Sequence, residues 1–273
     1  MPRFRFKPAV LLAVLLVGLA AAQAAEIAPP GDRGLLKLAG HYVKWGPLAY
    51  GSPAEITYAY LQETRSFPGA RNCAAMAPIA TLLTPAGITF QSFDREIAAA
   101  FRLWSEAASL RFVRIDDADR ADIVIGAQAG SAGVAFTNVV QKPAASGPID
   151  GIGRSTICLD PSERWEIGID GDPKTYNVRY VATHEIGHAI GLDHQGRDHG
   201  IMGFAYQEKV ASPGAIRLAQ SDIDAVVRLY GPAGDAVPVQ AAAQPGEPCP
   251  AAAAANATAL AAACEPAQKA LPE

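Results

Sequence analysis

The sequence predicts an α+β domain in which several strands are accompanied by a long helix and a C-terminal helix. Two observations support this fold class. Short runs rich in β-branched and aromatic residues, bounded by glycine and proline, are typical of strands. Longer stretches repeat their apolar residues at three- and four-residue steps, which is the period of a helix with one buried face. The segment 54–231 is long enough to form one such domain with its own core.

The predicted elements follow one another along this segment. Strands are expected over 54–61, 110–115, 122–127, 133–140 and 156–159. Helices are expected over 93–108, 174–190 and 222–230, with Ser92 and Ser221 as the N-caps of the first and the last. Two connections remain between them. Residues 62–91 exceed an ordinary loop and are interpreted as an insertion, and residues 141–153 are expected to be a loop.

The two ends of the chain differ in composition from its centre. Basic residues at the start, an unbroken apolar run over 9–22 and the small-residue site Ala22-Gln23-Ala24 predict a secretory signal peptide over 1–24. Residues 25–53 are interpreted as a lead-in segment, 54–231 as the main folded domain and 232–273 as an Ala/Pro-rich flexible tail. We therefore expect a secreted protein, extracellular or periplasmic, with no membrane contact after the signal is cleaved.

The net charge and the number of cysteines limit the classes of function that this chain can have. The formal net charge is −4 at pH 7, and cleavage after Ala24 would remove three basic residues, so the composition gives no support to nucleic-acid binding. In an oxidising compartment, an even number of cysteines suggests two disulfides. Proximity favours one bond in the domain and one in the tail, although the sequence leaves the other pairings open. The four candidates are Cys73, Cys158, Cys249 and Cys264.

Three histidines at fixed spacing form the most informative motif. The run reads His184-Glu185-Ile186-Gly187-His188-Ala189-Ile190-Gly191-Leu192-Asp193-His194. His184 and His188 are four residues apart and share one face of a helix, roughly 6 Å apart along its axis. Gly191 offers an end to that helix, because glycine tolerates positive φ, and the chain can then bring His194 to the same metal. Three protein ligands on Zn²⁺ leave one position open, as in a catalytic site.

The residue beside the first histidine supplies the chemistry. Glu185 is close enough to the predicted ligands to take a proton from a water molecule held at the metal. The competing interpretation is an ordinary amphipathic helix with surface histidines. Three of the five histidines of the chain fall in this motif, which argues against that interpretation. We therefore predict one catalytic zinc ion on His184, His188 and His194, with Glu185 as the general base.

A methionine follows the motif and identifies a family. Ile201-Met202-Gly203 comes eight residues after His194, in a turn-like stretch. The chain here resembles the metzincin metalloproteases, in which a methionine-containing turn lies beneath the zinc. The run 187–194 and its short spacing to Met202 resemble the matrixins, the matrix-metalloproteinase group. Residues 92–125 and 218–231 resemble the first helix with its two strands and the last helix of that family, so the similarity covers most of 54–231.

The resemblance implies a metzincin-like α+β fold, with a mixed, twisted sheet, a long zinc-binding helix and a C-terminal helix, and it implies a mode of substrate binding. Matrixins bind an extended peptide along a sheet edge, and the run that begins at Gly133 stands where that edge strand is expected. The resemblance also places a side-chain pocket after Met202, where Phe204 replaces the usual proline and Tyr206 matches a tyrosine of the pocket wall. The alternative for Tyr206 is a simple packed aromatic. The residues that this comparison proposes for substrate contact are Val134, Ala135, Phe136, Phe204 and Tyr206.

Two departures from the family pattern carry further expectations. Matrixins usually hold a second, structural zinc through histidines, and at the matching places this chain has Phe136 and Cys158. We expect no structural zinc and a disulfide at Cys158 that replaces part of its bracing, most favourably with Cys73. Residues 26–52 contain no cysteine for a thiolate switch. Calcium binding and the oligomeric state are left open.

The sequence therefore predicts a secreted zinc endopeptidase that hydrolyses peptide bonds in a protein or peptide substrate. Two alternatives stay open at this point. One is a zinc hydrolase that acts on cell-wall peptides, which the residues do not distinguish from a general endopeptidase. The other is a zinc-binding module with little catalytic activity on the same fold. Glu185 argues against the second alternative, because such a module has no need of a general base.

Overall fold

The fold described below is that of a computed structural model. The structure describes residues 32–168, 174–196, 200–203 and 216–234. Three predicted features lie outside these ranges: the signal peptide, most of the tail with Cys249 and Cys264, and the proposed pocket residues Phe204 and Tyr206. None of the helices in the described ranges has the length and apolar character needed to cross a membrane.

Within the described residues, strands and helices are combined as the α+β class requires. The strands are β1 (Lys37–Leu38), β2 (His41–Lys44), β3 (Ala54–Tyr60), β4 (Arg65–Ser66), β5 (Ala75–Ala77), β6 (Leu110–Arg114), β7 (Ile123–Gln128), β8 (Ala135–Lys142), β9 (Ile149–Leu159), β10 (Trp165–Glu166) and β11 (Tyr176–Asn177). The helices are α1 (Ala80–Ala86), α2 (Phe90–Ala107), α3 (Val178–Ala189) and α4 (Gln220–Tyr230).

A mixed sheet organises the fold. Its main path runs β1-β2-β9-β7-β3-β6, and β3 pairs in parallel with β6 and β7, as β7 does with β9. Strand β8 pairs antiparallel with β9, from Ala135 opposite Leu159 to Lys142 opposite Gly151. In the described part of the chain β8 has no second neighbour, so its other edge is free. The sheet therefore presents one antiparallel edge beside an otherwise largely parallel core.

The two faces of the sheet carry cores of different size. The larger core lies between the sheet and helices α2 and α3, where Phe101, Trp104 and Ile186 are fully buried. Because successive side chains of a strand point to opposite faces, the alternate residues of β7 and β9 form a second, smaller cluster on the other face. That cluster includes Val124, Cys158 and Met76.

The expected elements are present, with shifts at their ends. Helix α2 begins at Phe90, and its N-cap is Thr89, whose hydroxyl accepts the Ser92 N–H; the expected cap at Ser92 was wrong. Helix α4 likewise begins after Ala219, not after Ser221, and α3 is shorter than expected because 176–177 form β11. The expected loop 141–153 is mostly strand, because β8 and β9 form a hairpin whose connection is only 143–148.

The insertion has structure of its own. Residues 62–91 contain the short antiparallel pair β4–β5 and helix α1, which ends at Gly87 with a φ of 65°. Strand β5 also pairs with β7, so the hairpin is part of the main sheet. A disulfide joins Cys73, just before β5, to Cys158 in β9, with 5.9 Å between their Cα atoms. This is the pairing that the sequence favoured.

The lead-in segment is also part of the domain. Strand β2 pairs in parallel with the start of β9, and Lys44 at its end is completely buried. The Lys44 ammonium donates to the carbonyl oxygens of Trp45 and Pro47 at 2.8 and 2.6 Å and to Ser52 Oγ at 3.0 Å. It also lies 4.9 Å from the centre of the Tyr230 ring. A cation therefore holds the turn between β2 and β3 to the last helix.

Candidate active site

Helix α3 positions two of the three motif histidines. It begins after Asn177, whose side chain accepts the Tyr180 N–H and so caps the first turn. It ends before Gly191, where φ is 97°, a conformation that side chains other than glycine rarely adopt. A Cβ at Gly191 would also lie 2.2 Å from the Val43 carbonyl oxygen. The sharp end of the helix, expected from the glycine, therefore has both a backbone and a packing cause.

The end of α3 is buried, and its free carbonyls find partners in other elements. The Ala189 carbonyl accepts the Trp45 indole N–H at 2.9 Å, and the Ile190 carbonyl accepts the Tyr230 hydroxyl at 2.7 Å. Beyond Gly191 the chain pairs with the lead-in segment, because Leu36 N–H donates to the Gly191 carbonyl at 2.8 Å. The return of the chain toward His194 is thus fixed by hydrogen bonds on both sides.

The three histidine rings converge on one point. The Nε2 atom of His184 lies 3.1 Å from Nε2 of His188 and 3.2 Å from Nε2 of His194. Ligand nitrogens about 2.0–2.1 Å from a tetrahedral zinc ion are separated by roughly 3.3 Å. The observed spacings are close to that value. Because one candidate ligand atom from each of the three residues also lies within 4.8 Å of the other two, the cluster fits one zinc ion.

Backbone carbonyls fix the orientation of two of these rings. His184 Nδ1 lies 2.7 Å from the Ile201 carbonyl oxygen, and His188 Nδ1 lies 2.9 Å from the Leu192 carbonyl oxygen. A carbonyl only accepts, so each Nδ1 carries the proton and each Nε2 presents its lone pair to the centre of the cluster. This is the tautomer that a metal ligand needs, held by partners that orient the ring.

The surroundings keep the rings neutral. Burial is the main cause that lowers the pKa of His184 and of His194, and burial together with the neighbouring His184 lowers the pKa of His188 to about 3. Imidazole binds metal in its neutral form. The positions, the tautomers and the protonation states of the imidazoles are therefore all those that metal ligands require. Among the described residues, this cluster is the one group of three or more potential metal ligands.

Glu185 lies beside the cluster in a dry environment. Its side chain is 6% exposed, and burial raises the pKa of its carboxyl group to about 7. The Thr137 hydroxyl of β8 lies 2.7 Å from Glu185 Oε2 and donates to it, which opposes part of that shift. A carboxyl group with a pKa near 7 can both accept and release a proton at neutral pH. The contribution of Thr137 was not foreseen, because no local pattern marks a contact over this sequence distance.

Met202 packs against α3, the helix that carries His184 and His188 (the histidine helix). It is fully buried, and a Cβ built on Gly187 would lie 2.3 Å from its Sδ atom and 3.0 Å from Cζ2 of Trp104. Gly187 therefore has no side chain because methionine and tryptophan fill the space. Trp104 in turn donates its indole N–H to the Thr183 carbonyl at 2.9 Å. Met202 therefore lies against the helix that carries His184 and His188, and its place beneath a zinc ion stays a prediction.

A buried carboxylate forms hydrogen bonds with the backbone of residues 201–203 (the methionine turn). Asp222, the third residue of α4, is fully buried and accepts the Ile201 N–H at 2.8 Å and the Met202 N–H at 3.3 Å. Ile201 is also the residue whose carbonyl orients His184. The sequence shows Asp222 only as an acidic residue at a helix start, so its role became evident only from the contact.

A cleft of about 600 Å³ runs past the histidines along the free edge of β8. Of the residues proposed for substrate contact, Ala135 and Phe136 line it. Val134 is not among the lining residues: it packs against the main core, and its carbonyl accepts the Asp160 N–H at 2.9 Å, so its contact with substrate stays a prediction. The lining also includes Leu36 and Leu38 of the lead-in segment and residues 69–72 of the insertion.

Comparison with known proteins identifies the family. The family model described as matrixin matches residues 81–231, more than half of the chain. The chain is 33% identical over 142 residues to matrix metalloproteinase-20 of Homo sapiens, a match that covers 51% of this chain and 28% of the relative. It is 32% identical over 164 residues to stromelysin-2 of Rattus norvegicus, covering 55% and 31%, and 33% identical over 143 residues to matrilysin of the same species, covering 50% of each.

The chain thus spans between about a quarter and a half of the length of these relatives. The matched residues contain α2, the free-edged strand β8, the histidine helix α3, the methionine turn and α4. They include the three histidines and the strand that forms one side of the cleft, whereas the lining residues Leu36, Leu38 and 69–72 lie outside the match. By the extent of the family match, this chain belongs to the matrixins, a family of zinc metalloendopeptidases.

Proposed function

We propose that this protein is a secreted zinc-dependent endopeptidase whose zinc ligands are His184, His188 and His194. The observation that supports this most directly is the convergence of three neutral imidazoles beside a buried carboxyl group. A bound zinc ion would acidify a water molecule and polarise the carbonyl of the scissile peptide bond. The residues of the chain supply the rest of the chemistry.

Glu185 acts as the general base and then as the general acid. Burial gives its carboxyl group a pKa of about 7, so near neutral pH it accepts a proton from the attacking water. It then passes the proton to the departing amine, and the peptide bond breaks. The Thr137 hydroxyl, 2.7 Å from Oε2, holds the carboxylate in one orientation during both transfers.

The peptide substrate adds as a strand to the free edge of β8. Unpaired backbone groups along this edge give affinity, and alternate side chains of the peptide meet the residues that line the cleft. Ala135 and Thr137 lie next to the histidine helix, so the scissile bond lies opposite this part of β8. Phe204 and Tyr206 remain proposed as residues of a side-chain pocket.

One zinc ion per chain is the proposed stoichiometry. Phe136 and Cys158 stand opposite each other in the β8–β9 pair, at the positions where the family resemblance places histidine ligands of a second zinc. Neither a phenyl ring nor a disulfide sulfur is a good zinc ligand. We propose that the Cys73–Cys158 bond braces this region instead. Export through a signal peptide at 1–24 is proposed from the composition of that segment.

The substitution Glu185→Gln tests the function. Zinc content and fold should be retained, because Glu185 is not a ligand, and peptide hydrolysis should fall by about 10²–10⁴-fold because the proton acceptor is lost. The matched control is Glu106→Gln, an exposed position on α2. Hydrolysis of a fluorogenic peptide library would be measured for zinc-loaded wild type and both variants. Activity near that of wild type in Glu185→Gln would contradict the mechanism.

A further inference from the structure

We propose that the tip of the β4–β5 hairpin, residues 69–72 (the tip loop), selects substrates, and that Arg71 in this loop favours an acidic side chain on the N-terminal side of the scissile bond. This inference rests on the proposed endopeptidase function. The tip loop belongs to the insertion and lines the cleft together with β8 and the histidine helix.

Covalent and hydrogen bonds fix the tip loop over β8. The disulfide between Cys73 and Cys158 joins the end of the loop to β9. Asn138 of β8 accepts two backbone hydrogen bonds through its Oδ1 atom, from Arg71 N–H at 2.7 Å and from Asn72 N–H at 3.2 Å. The loop is thus a preformed wall of the cleft, and little ordering entropy would oppose its use as a binding surface.

The side chains of β8 show which part of a bound peptide meets this wall. Thr137 points toward Glu185 and the histidine helix, whereas Asn138, its neighbour, points to the opposite face and contacts the tip loop. Residues directly opposite each other on paired strands place their side chains on the same face. The peptide residue opposite Asn138 therefore directs its side chain toward Arg71.

The direction of the peptide determines the side of the scissile bond. Antiparallel pairing is the commoner arrangement, and it is the one that β8 already makes with β9. A peptide antiparallel to β8 runs backwards relative to increasing residue number in the strand. Because the reacting centre lies at Thr137, a peptide residue opposite Asn138 or Val140 precedes the scissile bond.

The charge of the wall indicates the chemistry that it recognises. Among the described residues that line the cleft, Arg71 is the one arginine or lysine. Its side chain is exposed and makes no ion pair with any residue in the described ranges, so the guanidinium is available to a ligand. A guanidinium can bind a carboxylate through two parallel hydrogen bonds. Glutamate or aspartate in the substrate is the matching group.

Peptide sets that differ at one position test the proposal. Fluorogenic peptides would carry Glu, Gln or Lys at each of the four positions before and after the scissile bond. The enzymes are zinc-loaded wild type, Arg71→Ala, Arg71→Glu and the control Arg102→Glu, which makes the same charge change at an exposed position of α2 outside the cleft. For each pair the measurement is kcat/KM at low and at high salt.

Wild type should prefer Glu to Lys by about three- to tenfold at one position before the bond, as expected for a solvent-exposed charge pair. Arg71→Ala should lose this preference, Arg71→Glu should invert it, and Arg102→Glu should retain it. The wild-type preference should shrink at high salt, because the pair is exposed.

The outcomes separate this inference from the proposed function. Wild type that cleaves no peptide would contradict the endopeptidase function itself. Wild type that cleaves peptides with the same charge preference as Arg71→Glu at every position would overturn the role of Arg71. A preference that depends on Arg71 only at positions after the bond would overturn the proposed direction of binding.

Discussion

The disulfide between Cys73 and Cys158 should be a major contributor to the stability of the domain. The two residues are separated by 85 positions, and the bond closes this long loop in the unfolded chain. The chain-entropy model gives about 4.6 kcal/mol at 25 °C for a loop of this length. The double substitution Cys73→Ala/Cys158→Ala removes the bond without leaving an unpaired thiol.

Packing modifies this value. Both cysteines are completely buried in the smaller core, on the face of the sheet away from α2 and α3, together with Met76 and Val124. Removing the two sulfur atoms also leaves a cavity, which lowers the free energy of unfolding further. Residual structure in the unfolded chain acts in the opposite direction, because it reduces the entropic contribution of the disulfide to stability. We expect the free energy of unfolding to fall by about 3–5 kcal/mol.

Urea denaturation of the zinc-loaded protein, followed by tryptophan fluorescence, measures this change. The midpoint should move to lower urea in the double variant and in wild type treated with reductant, and bound zinc should be retained at urea concentrations below the transition. The histidine cluster lies on the other face of the sheet, so its ligands are unaffected directly. A loss below about 1 kcal/mol in both samples would refute the reasoning, since it would mean that the loop is not constrained by this bond.

Three further perturbations test other parts of the structure. His194→Ala should lower zinc content after dialysis, because two ligands hold the ion poorly, and equal metal in variant and wild type by elemental analysis would contradict the three-histidine site. Gly187→Ala should lower stability by about 1–3 kcal/mol, because the new methyl group overlaps Met202 Sδ, 2.3 Å away; an unchanged melting temperature would show that the methionine is free to move. Burial lowers the pKa of Lys44 from 10.5 to about 8, so between these values the unfolded chain binds more protons than the folded one. From pH 8 to 9.5 the free energy of unfolding should therefore rise by at most about 2 kcal/mol in wild type, and this rise should be absent from Lys44→Met in denaturation curves at the two pH values.

The sequence predicted those parts of the site that depend on local spacing. The positions of His184 and His188 on one helical face, and the end of that helix at Gly191, follow from helix geometry and from glycine conformation. The partners that orient and surround them come from distant segments. The Asp222 carboxylate and the Thr137 hydroxyl have no marker in the sequence, because tertiary contact alone gives each its role. Ile201 belongs to a recognised motif, but the hydrogen bond between its carbonyl and His184 is also a tertiary contact.

The same division holds for the fold. The apolar periods identified α2, β7 and the order of the elements. The N-cap of α2 was misplaced, because Thr89 and Ser92 are both good capping residues and the sequence alone does not distinguish them. The apolar periods gave no structure to the insertion, because β4 and β5 are each too short to show an alternating pattern.

The contacts of Asp222 have a consequence for when the protein can hold its metal. This carboxylate belongs to the last helix, yet it fixes the backbone that orients His184, the first histidine of the motif. A nascent chain that has already exposed all three histidines still lacks the residues that set their geometry. Tight binding of the proposed zinc ion, and the proposed hydrolytic activity that depends on it, would therefore appear only after the C-terminal helix has been synthesised and has packed against the domain.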